Sequence, residues 1–296
     1  MSCPVISHNS MNPKIKMLLS TAAFGTLSIF IRHIPLTSAE VALFRAVIAL
    51  GFLLALKGIK KEPLRLRGLG SELPLLFLSG AAMGFNWIFL FEAYKYTTVS
   101  VETLSYYFAP IIVMVASPLL FRERMTKKQV LCFVGATAGL VLVINPGALT
   151  GSDPARGVLF GLAAAALYAT VILLNKRIAR VGGLDRTLLQ FAAAAAVLLP
   201  YILATGGFHL ERMNGVGWLC LLTVGMVHSG AAYVLYFSAL ADLPGQEAAI
   251  LSYVDPLVAV LISMTVLREP VTPVQLIGGA MILAFTLANE LGSERG

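Results

Sequence analysis

The chain has 296 residues, of which 58% are hydrophobic and only 12% are charged, and its formal net charge is +7. Soluble domains carry about 25% charged residues, so this composition excludes an ordinary soluble domain and favours a membrane protein. The basic residues are spread between apolar runs instead of forming one patch, so the positive charge does not indicate nucleic-acid binding.

Ten apolar stretches are long enough to cross a bilayer as helices, which takes about 20 residues each. In chain order they are 16–34, 38–57, 73–94, 99–121, 128–146, 156–175, 187–205, 215–240, 247–267 and 273–290. The segments between them are short, and we expect residues 1–13 to form a flexible N-terminal tail and residues 291–296 a C-terminal tail. The sequence therefore predicts an all-α polytopic membrane protein with ten transmembrane helices.

The basic residues also predict the orientation of these spans through the positive-inside rule. With the N-terminus in the cytoplasm, five of the 22 Lys and Arg residues fall in outer segments and Arg45 falls within a span, which leaves sixteen on the cytoplasmic side. The reverse orientation would invert this bias. We therefore predict that both termini are cytoplasmic.

The two halves of the chain repeat each other at an offset of 146 residues. "LFRERMT" at 120–126 becomes "VLREPVT" at 266–272, and the same offset aligns Tyr107 with Tyr253. Chance matching in an apolar chain explains paired alanines, but it does not explain tyrosine, proline and charged matches in one register. The sequence therefore predicts an internal duplication.

The number of spans in each half determines how the two halves are oriented. Each half, 14–147 and 154–290, holds five spans, so the second half must enter the membrane from the opposite side. The prediction is thus two inverted five-helix repeats. Inverted repeats build secondary transporters, in which the substrate binds near the midplane between the repeats.

Two further motifs connect the chain to a known family. A proline follows the shared tyrosine in "YFAPII" and "YVDPLV", and "RE…T…Q" opens the fifth span of each half. On these residues the chain resembles the EamA-type members of the drug/metabolite transporter superfamily over nearly its whole length, and it is most similar to the YddG-type exporters of aromatic amino acids. The resemblance implies export of amino acids or related metabolites through the bacterial inner membrane.

Polar and aromatic side chains concentrate in the third, fourth, eighth and ninth spans. Polar groups inside a bilayer are costly and usually face the bundle interior or a watery cavity. The candidate substrate-binding residues are Asn86, Trp87, Glu102, Tyr106, Tyr107, His228, Tyr233, Ser252 and Tyr253. Each tyrosine taken singly also fits simple packing, and His228 also fits an interhelical hydrogen bond.

The charges within the spans restrict the substrate. Arg45 is the only deep basic residue, so a phosphorylated substrate, which needs several buried cations, is disfavoured. We interpret Arg45 as a structural partner of Gln190 or of a backbone carbonyl. A zwitterion with an apolar side chain needs few hydrogen-bonding groups, and its ammonium can rest on an aromatic face. Asp255 beside Pro256 fits a role in satisfying backbone groups that the proline leaves free.

The source of energy stays open. No GxxxxGK[ST] motif occurs, so we predict neither ATP coupling within the chain nor any cofactor, and Cys3, Cys132 and Cys220 form no metal-binding pattern. Downhill facilitation and proton exchange are the remaining alternatives, the second through Glu102, His228 or Asp255. A channel or an intramembrane enzyme is an alternative function of a different class, although no HExxH or GxSxG motif is present.

The expected partners are a small-molecule substrate and membrane lipids, without nucleic acid. Three small-xxx-small pairs, Gly80/Gly84, Gly135/Gly139 and Gly157/Gly161, allow helices to approach closely. We interpret them as packing within one chain, and we therefore expect a monomer instead of a dimer.

Overall fold

The computed structural model describes residues 11–61, 70, 72–96, 105–121, 126–144, 153–266 and 272–293, and these residues form helices and turns without a β-strand. We number the helices after the predicted span that each occupies. The first half contains α1 (Pro13–Gly25, continued by Leu27–Ile31), α2 (Ser38–Lys60), α3 (Leu73–Tyr96), α4 (Phe108–Phe121) and α5 (Lys127–Ile144).

The second half repeats this order. It contains α6 (Pro154–Arg177), α7 (Gly183–Thr205), α8 (Gly215–Asp242), α9 (Gly245–Leu251, continued by Val254–Thr265) and α10 (Pro273–Ser293). The central part of α8, Val224–Ala231, is a π-helix. Three helices, α1, α8 and α9, are therefore not regular α-helices along their whole length.

The helices have the length and composition of membrane spans. Within the described ranges, six helices are long and apolar enough to cross a bilayer: Pro13–Ile31, Ser38–Ile59, Leu73–Ala93, Ala155–Arg177, Gly183–Thr205 and Gly215–Asp242. Two shorter apolar helices are Ile111–Phe121 and Leu276–Phe285. The chain is thus a multi-pass membrane protein, and the count of ten spans stays a prediction. The two "RE" motifs, at 122–123 and 268–269, lie outside the described residues.

Capping residues determine where several helices begin. At the start of α2, the Glu40 N–H donates to Thr37 Oγ1 at 3.3 Å, and the Thr37 N–H donates to Glu40 Oε2 at 2.8 Å. This reciprocal arrangement is a capping box. Asn12 and Asp153 cap α1 and α6, each followed by a proline at the first helical position.

The two repeats interlock instead of forming separate lobes. The extensive helix pairs that join them are α3–α6 and α1–α8, α2–α8 and α3–α7, α4–α6 and α1–α9, α2–α7, and α5–α10. Exchanging each helix for its counterpart in the other repeat converts α3–α6 into α1–α8, α2–α8 into α3–α7, and α4–α6 into α1–α9, while α2–α7 and α5–α10 are unchanged. This pattern is that of a pseudo-two-fold axis relating the repeats.

Glycines allow the close approach of helices from different repeats. A Cβ atom on Gly80 would lie 2.3 Å from the carbonyl oxygen of Gln190, so α3 touches the backbone of α7 at this point. A Cβ atom on Gly139 would lie 2.7 Å from the carbonyl oxygen of Gly278, between α5 and α10. The prediction that these two pairs of small residues pack within the chain is confirmed.

The contact at Gly80 leads to a stability prediction. We expect Gly80→Ala to lower the apparent melting temperature in detergent, because overpacking against a rigid backbone costs about 1–3 kcal/mol. Gly51→Ala is the matched control, because a Cβ atom on Gly51 has no neighbour within 4 Å. Fluorescence-detected size-exclusion chromatography after heating measures both variants. Equal melting of Gly80→Ala and the unaltered protein would contradict this packing.

Candidate functional site

An aromatic cluster lies where helices from the two repeats meet. It consists of Phe24 on α1, Trp87 on α3, Phe191 on α7, and Tyr233 and Tyr236 on α8. Trp87 Nε1 donates to the Tyr233 hydroxyl at 3.2 Å, and their ring centroids are 5.9 Å apart. Trp87 is 2% exposed and Tyr233 is 7% exposed. The cluster is therefore enclosed by both repeats.

The contact between Trp87 and Tyr233 joins two residues that are counterparts in the internal repeat. The two residues are 146 positions apart, which is the offset of the internal repeat. Tyr107 and Tyr253 are related by the same offset, and their rings stack with centroids 6.2 Å apart and planes 21° apart. Only a residue near the pseudo-two-fold axis can contact its own counterpart. The two contacts therefore mark where that axis passes.

A row of tyrosines extends the aromatic cluster towards α4. Tyr106 stacks on Tyr168 with centroids 5.4 Å apart, and Tyr168 stacks on Tyr236 with centroids 6.3 Å apart. The Tyr168 hydroxyl donates to the Tyr236 hydroxyl at 2.7 Å. Asn86 donates to the Ala164 carbonyl at 2.7 Å and lies near the Tyr106 hydroxyl. Polar edges and aromatic faces thus line the same interface.

Arg45 lies beside this cluster and not where the sequence predicted it. Its Cζ atom is 4.2 Å from the centroid of the Trp87 ring, and its Nε donates to Ser229 Oγ at 2.9 Å. The predicted pairing with Gln190 is wrong, because the Gln190 amide donates to Ser79 Oγ at 2.9 Å and to Asn175 Oδ1 at 3.0 Å. Within the described part of the chain, no backbone carbonyl accepts a hydrogen bond from Arg45 either.

His228 connects two irregular helices. Its Nε2 lies 2.8 Å from Thr26 Oγ1, at the residue that interrupts α1, and its ring packs on Phe30 with centroids 5.0 Å apart. His228 itself belongs to the π-helical part of α8. The sequence allowed two interpretations of His228, and the structure contains the hydrogen bond between helices that one of them predicts. π-helical turns occur frequently at functional sites.

The interruption of α9 lies close to the same place. Ser252 and Tyr253 separate its two parts, and the Tyr253 hydroxyl lies 2.7 Å from Thr137 Oγ1. Just beyond, the Tyr107 hydroxyl lies close enough to the Asp255 carboxylate to interact with it. A Cβ atom on Gly25 would lie 2.5 Å from the Asp255 carbonyl oxygen, so α1 and α9 touch here. Interrupted helices commonly form the substrate and ion sites of transporters with inverted repeats.

The structure divides the predicted binding residues into groups. Four of them lie together around α3 and α8: Asn86, Trp87, Tyr106 and Tyr233. His228 lies at the edge of this group, next to Ser229, which accepts the hydrogen bond from Arg45. Tyr107 and Tyr253 form a second cluster with Phe133 and α5. Ser252 donates to the Ala248 carbonyl at 2.7 Å and lies near the Tyr236 hydroxyl. Glu102 lies outside the described residues.

Charged contacts between the repeats close one end of the bundle. Lys14 pairs with Glu247 at 2.9 Å, and Lys57 pairs with Asp185 at 2.5 Å. The Glu72 carboxylate accepts the N–H groups of Ala179 and Arg180, each at 3.1 Å to Oε1. Every one of these contacts joins the first repeat to the second. They would have to break if the repeats moved apart at this end.

The other end is also joined across the repeats. The His209 N–H donates to Glu40 Oε1 at 2.5 Å, and Arg156 lies over the Tyr96 ring with its Cζ 4.4 Å from the centroid. The aromatic cluster thus lies between two sets of inter-repeat contacts.

The fold and the site together define a membrane transporter. Two repeats related by a pseudo-two-fold axis enclose a polar and aromatic site, and interrupted helices lie beside it. The model of the EamA-like transporter family matches residues 14–145 and 155–289, one match for each repeat. The chain therefore belongs to the EamA-like transporter family.

Individual relatives agree with this assignment. An uncharacterized transporter of Archaeoglobus fulgidus is 32% identical over 275 residues, which covers 92% of this chain and 93% of the relative. The uncharacterized transporter YxxF of Bacillus subtilis is 28% identical over 289 residues, covering 94% and 90%. A protein of known crystal structure, at 19% identity, superposes with a TM-score of 0.80 over 94% of this chain and 98% of that one. This last likeness concerns the fold alone.

The two tyrosine environments lead to a paired prediction. We expect Tyr253→Phe to lower stability by about 0.5–1.5 kcal/mol, the value of one hydrogen bond, and to leave transport within about twofold. We expect Tyr233→Phe to lower transport by about tenfold or more, because it removes the acceptor of the Trp87 N–H inside the site; a factor of ten corresponds to about 1.4 kcal/mol. Counterflow in proteoliposomes and thermal melting measure the two effects. Equal transport loss in both variants would contradict this division of roles.

Proposed function

We propose that this protein is a secondary transporter that exports amino acids with aromatic or other apolar side chains from the cytoplasm of a bacterium, by alternating access between its repeats. The observation that carries the proposal is the Trp87–Tyr233 contact, an aromatic pair enclosed by both repeats. The resemblance to the YddG-type exporters of aromatic amino acids supports the same substrate class.

The chemistry of the site supports a zwitterion with an apolar side chain. The aromatic cluster and the Tyr106–Tyr168–Tyr236 row offer planar walls for a ring or a branched aliphatic group. An ammonium group over such a ring gains about 0.5–2 kcal/mol. Among the described residues the site has one guanidinium, that of Arg45, which is too little positive charge for a phosphorylated substrate.

The position of the site supports alternating access. If the repeats are inverted, their pseudo-two-fold axis runs in the plane of the membrane, so residues that contact their own counterparts lie near the midplane. Motion that separates the repeats at the Lys14–Glu247 end would open the site to the cytoplasm. The equivalent motion at the Glu40–His209 end would open it to the other side. The interruptions of α1 and α9 and the π-helical part of α8 supply flexible points for both motions.

Proton exchange is the form of coupling that a specific observation favours over simple facilitation. The Asp255 carboxylate lies between the break of α9 and the Tyr107 hydroxyl, where a substrate that separates Tyr107 from Asp255 would leave a carboxylate free to take a proton. His228, which is hydrogen-bonded to Thr26, is the second candidate for a group that carries the proton.

Uptake into proteoliposomes tests the proposal. We expect counterflow of labelled phenylalanine and leucine, without electrical currents of the size that a channel produces. A pH gradient of one unit is expected to drive accumulation if protons are exchanged, and Asp255→Asn is expected to abolish that drive while counterflow persists. Absence of counterflow for every amino acid, together with flux of non-zwitterionic apolar compounds, would contradict amino-acid export and favour a metabolite or drug exporter.

A further inference from the structure

Nearly every buried charged side chain of the described residues has its charge compensated. Lys57 pairs with Asp185, and Glu247 pairs with Lys14. Glu40 accepts the N–H groups of Thr37 and His209, and Glu72 accepts those of Ala179 and Arg180. Such compensation is the rule because an isolated buried charge costs several kcal/mol.

Arg186 shows how this chain satisfies a guanidinium for structural purposes. It is 1% exposed, and its two terminal nitrogens donate to the backbone carbonyls of Asn175, Ile178, Val181 and Phe237. These four acceptors hold α6, α7 and α8 together at one end of the bundle. A purely structural buried arginine in this protein is thus surrounded by acceptors.

Arg45 differs from all of these. It is 2% exposed, and its hydrogen bond in the described structure runs from Nε to Ser229 Oγ, a neutral acceptor. Trp87 covers one face of the guanidinium. The edge that carries both terminal nitrogens donates to no atom of the residues that the structure describes, and no described carboxylate pairs with it. Its position, beside the axis-marking Trp87–Tyr233 contact, is that of the proposed substrate.

We propose that Arg45 is the carboxylate-binding residue of the transport site, and that a free carboxylate is therefore required in the substrate. The proposal rests on the function proposed above and specifies its chemistry. The free edge of the guanidinium matches a carboxylate in bidentate geometry, with two parallel N–H···O bonds. Ser229 and Trp87 hold the guanidinium so that this edge stays directed away from both. A substrate carboxylate would supply the anion that the described residues do not.

This arrangement separates the roles of charge and shape. The guanidinium recognises the carboxylate, which all amino acids share, whereas the aromatic cluster selects the side chain. Arg45→Lys keeps the positive charge but loses the planar pair of donors, so it is not a conservative change at such a site.

Ligand-induced thermal stabilisation of the unaltered, detergent-solubilised protein is the first arm of the test, because it needs no variant. The probes are L-phenylalanine, L-phenylalaninamide, phenethylamine and 3-phenylpropanoate. We expect phenylalanine and 3-phenylpropanoate to raise the melting temperature. The two probes without a carboxylate should need at least about tenfold higher concentrations for the same rise. Equal stabilisation by phenylalanine and its amide would overturn the role of Arg45.

Transport by variants is the second arm. We expect Arg45→Lys and Arg45→Met to raise the half-saturating phenylalanine concentration in counterflow by about 10- to 100-fold. In Arg45→Met, the half-saturating concentrations of phenylalanine and of its amide should also become similar. Arg212→Lys is the control, because the Arg212 side chain is 56% exposed and pairs with its neighbour Glu211; its half-saturating concentration should not change.

The outcomes separate the two proposals. If the unaltered protein carries phenylalanine and its amide equally well, and Arg45→Met does not alter this ratio, the carboxylate role is wrong and amino-acid transport stands. If 3-phenylpropanoate is carried and phenylalanine is not, the carboxylate role stands and amino-acid export is wrong. If no probe is carried or bound, both are wrong.

Discussion

The contact between Trp87 and Tyr233 is the point on which the architecture depends. The two residues are counterparts in a duplicated chain, and they meet because the axis that relates the repeats passes between them. The exchange of helix pairs across the bundle follows from the same axis, and the stacked pair Tyr107 and Tyr253 marks it a second time. The rings of Trp87 and Tyr233 meet edge to face, with planes 77° apart, whereas those of Tyr107 and Tyr253 are stacked, with planes 21° apart.

Burial of charge organises the rest of the molecule around this axis. Lys57, Glu72 and Arg186 are compensated at one end of the bundle and Glu40 at the other, so the ends are held by specific polar contacts between or within the repeats. Between them, aromatic packing dominates and Arg45 has a neutral hydroxyl and a ring as its neighbours. This contrast between compensated ends and an uncompensated centre is consistent with the proposed alternating access, in which contacts at the ends break and re-form while a ligand binds at the centre.

Much of this fold could be predicted from the sequence, since span length, hydropathy and caps are local properties. The predicted span 38–57 became Ser38–Lys60 with the capping box at Thr37, and 215–240 became Gly215–Asp242. The site was harder to predict. The partners of Arg45 could not be predicted because Ser229 and Trp87 come from other helices, and nothing local distinguishes Ser229 from other small residues in an apolar run. The π-helix around His228 has no sequence signal of its own. The pairing of Trp87 with Tyr233 had a signal, the 146-residue offset, which placed the two in register without showing that they touch.

The most direct test of a substrate site at the axis uses the two tryptophans of the chain, Trp87 and Trp218. Trp218 is 41% exposed near the start of α8, so Trp218→Phe leaves Trp87 as the sole tryptophan, inside the proposed site. Excitation at the long-wavelength edge of tryptophan absorption avoids phenylalanine and most tyrosine absorption. The account predicts a saturable change in Trp87 emission as phenylalanine is added, and no change in Trp87→Phe, in which only Trp218 emits. Saturable phenylalanine binding without any change in Trp87 emission would contradict it.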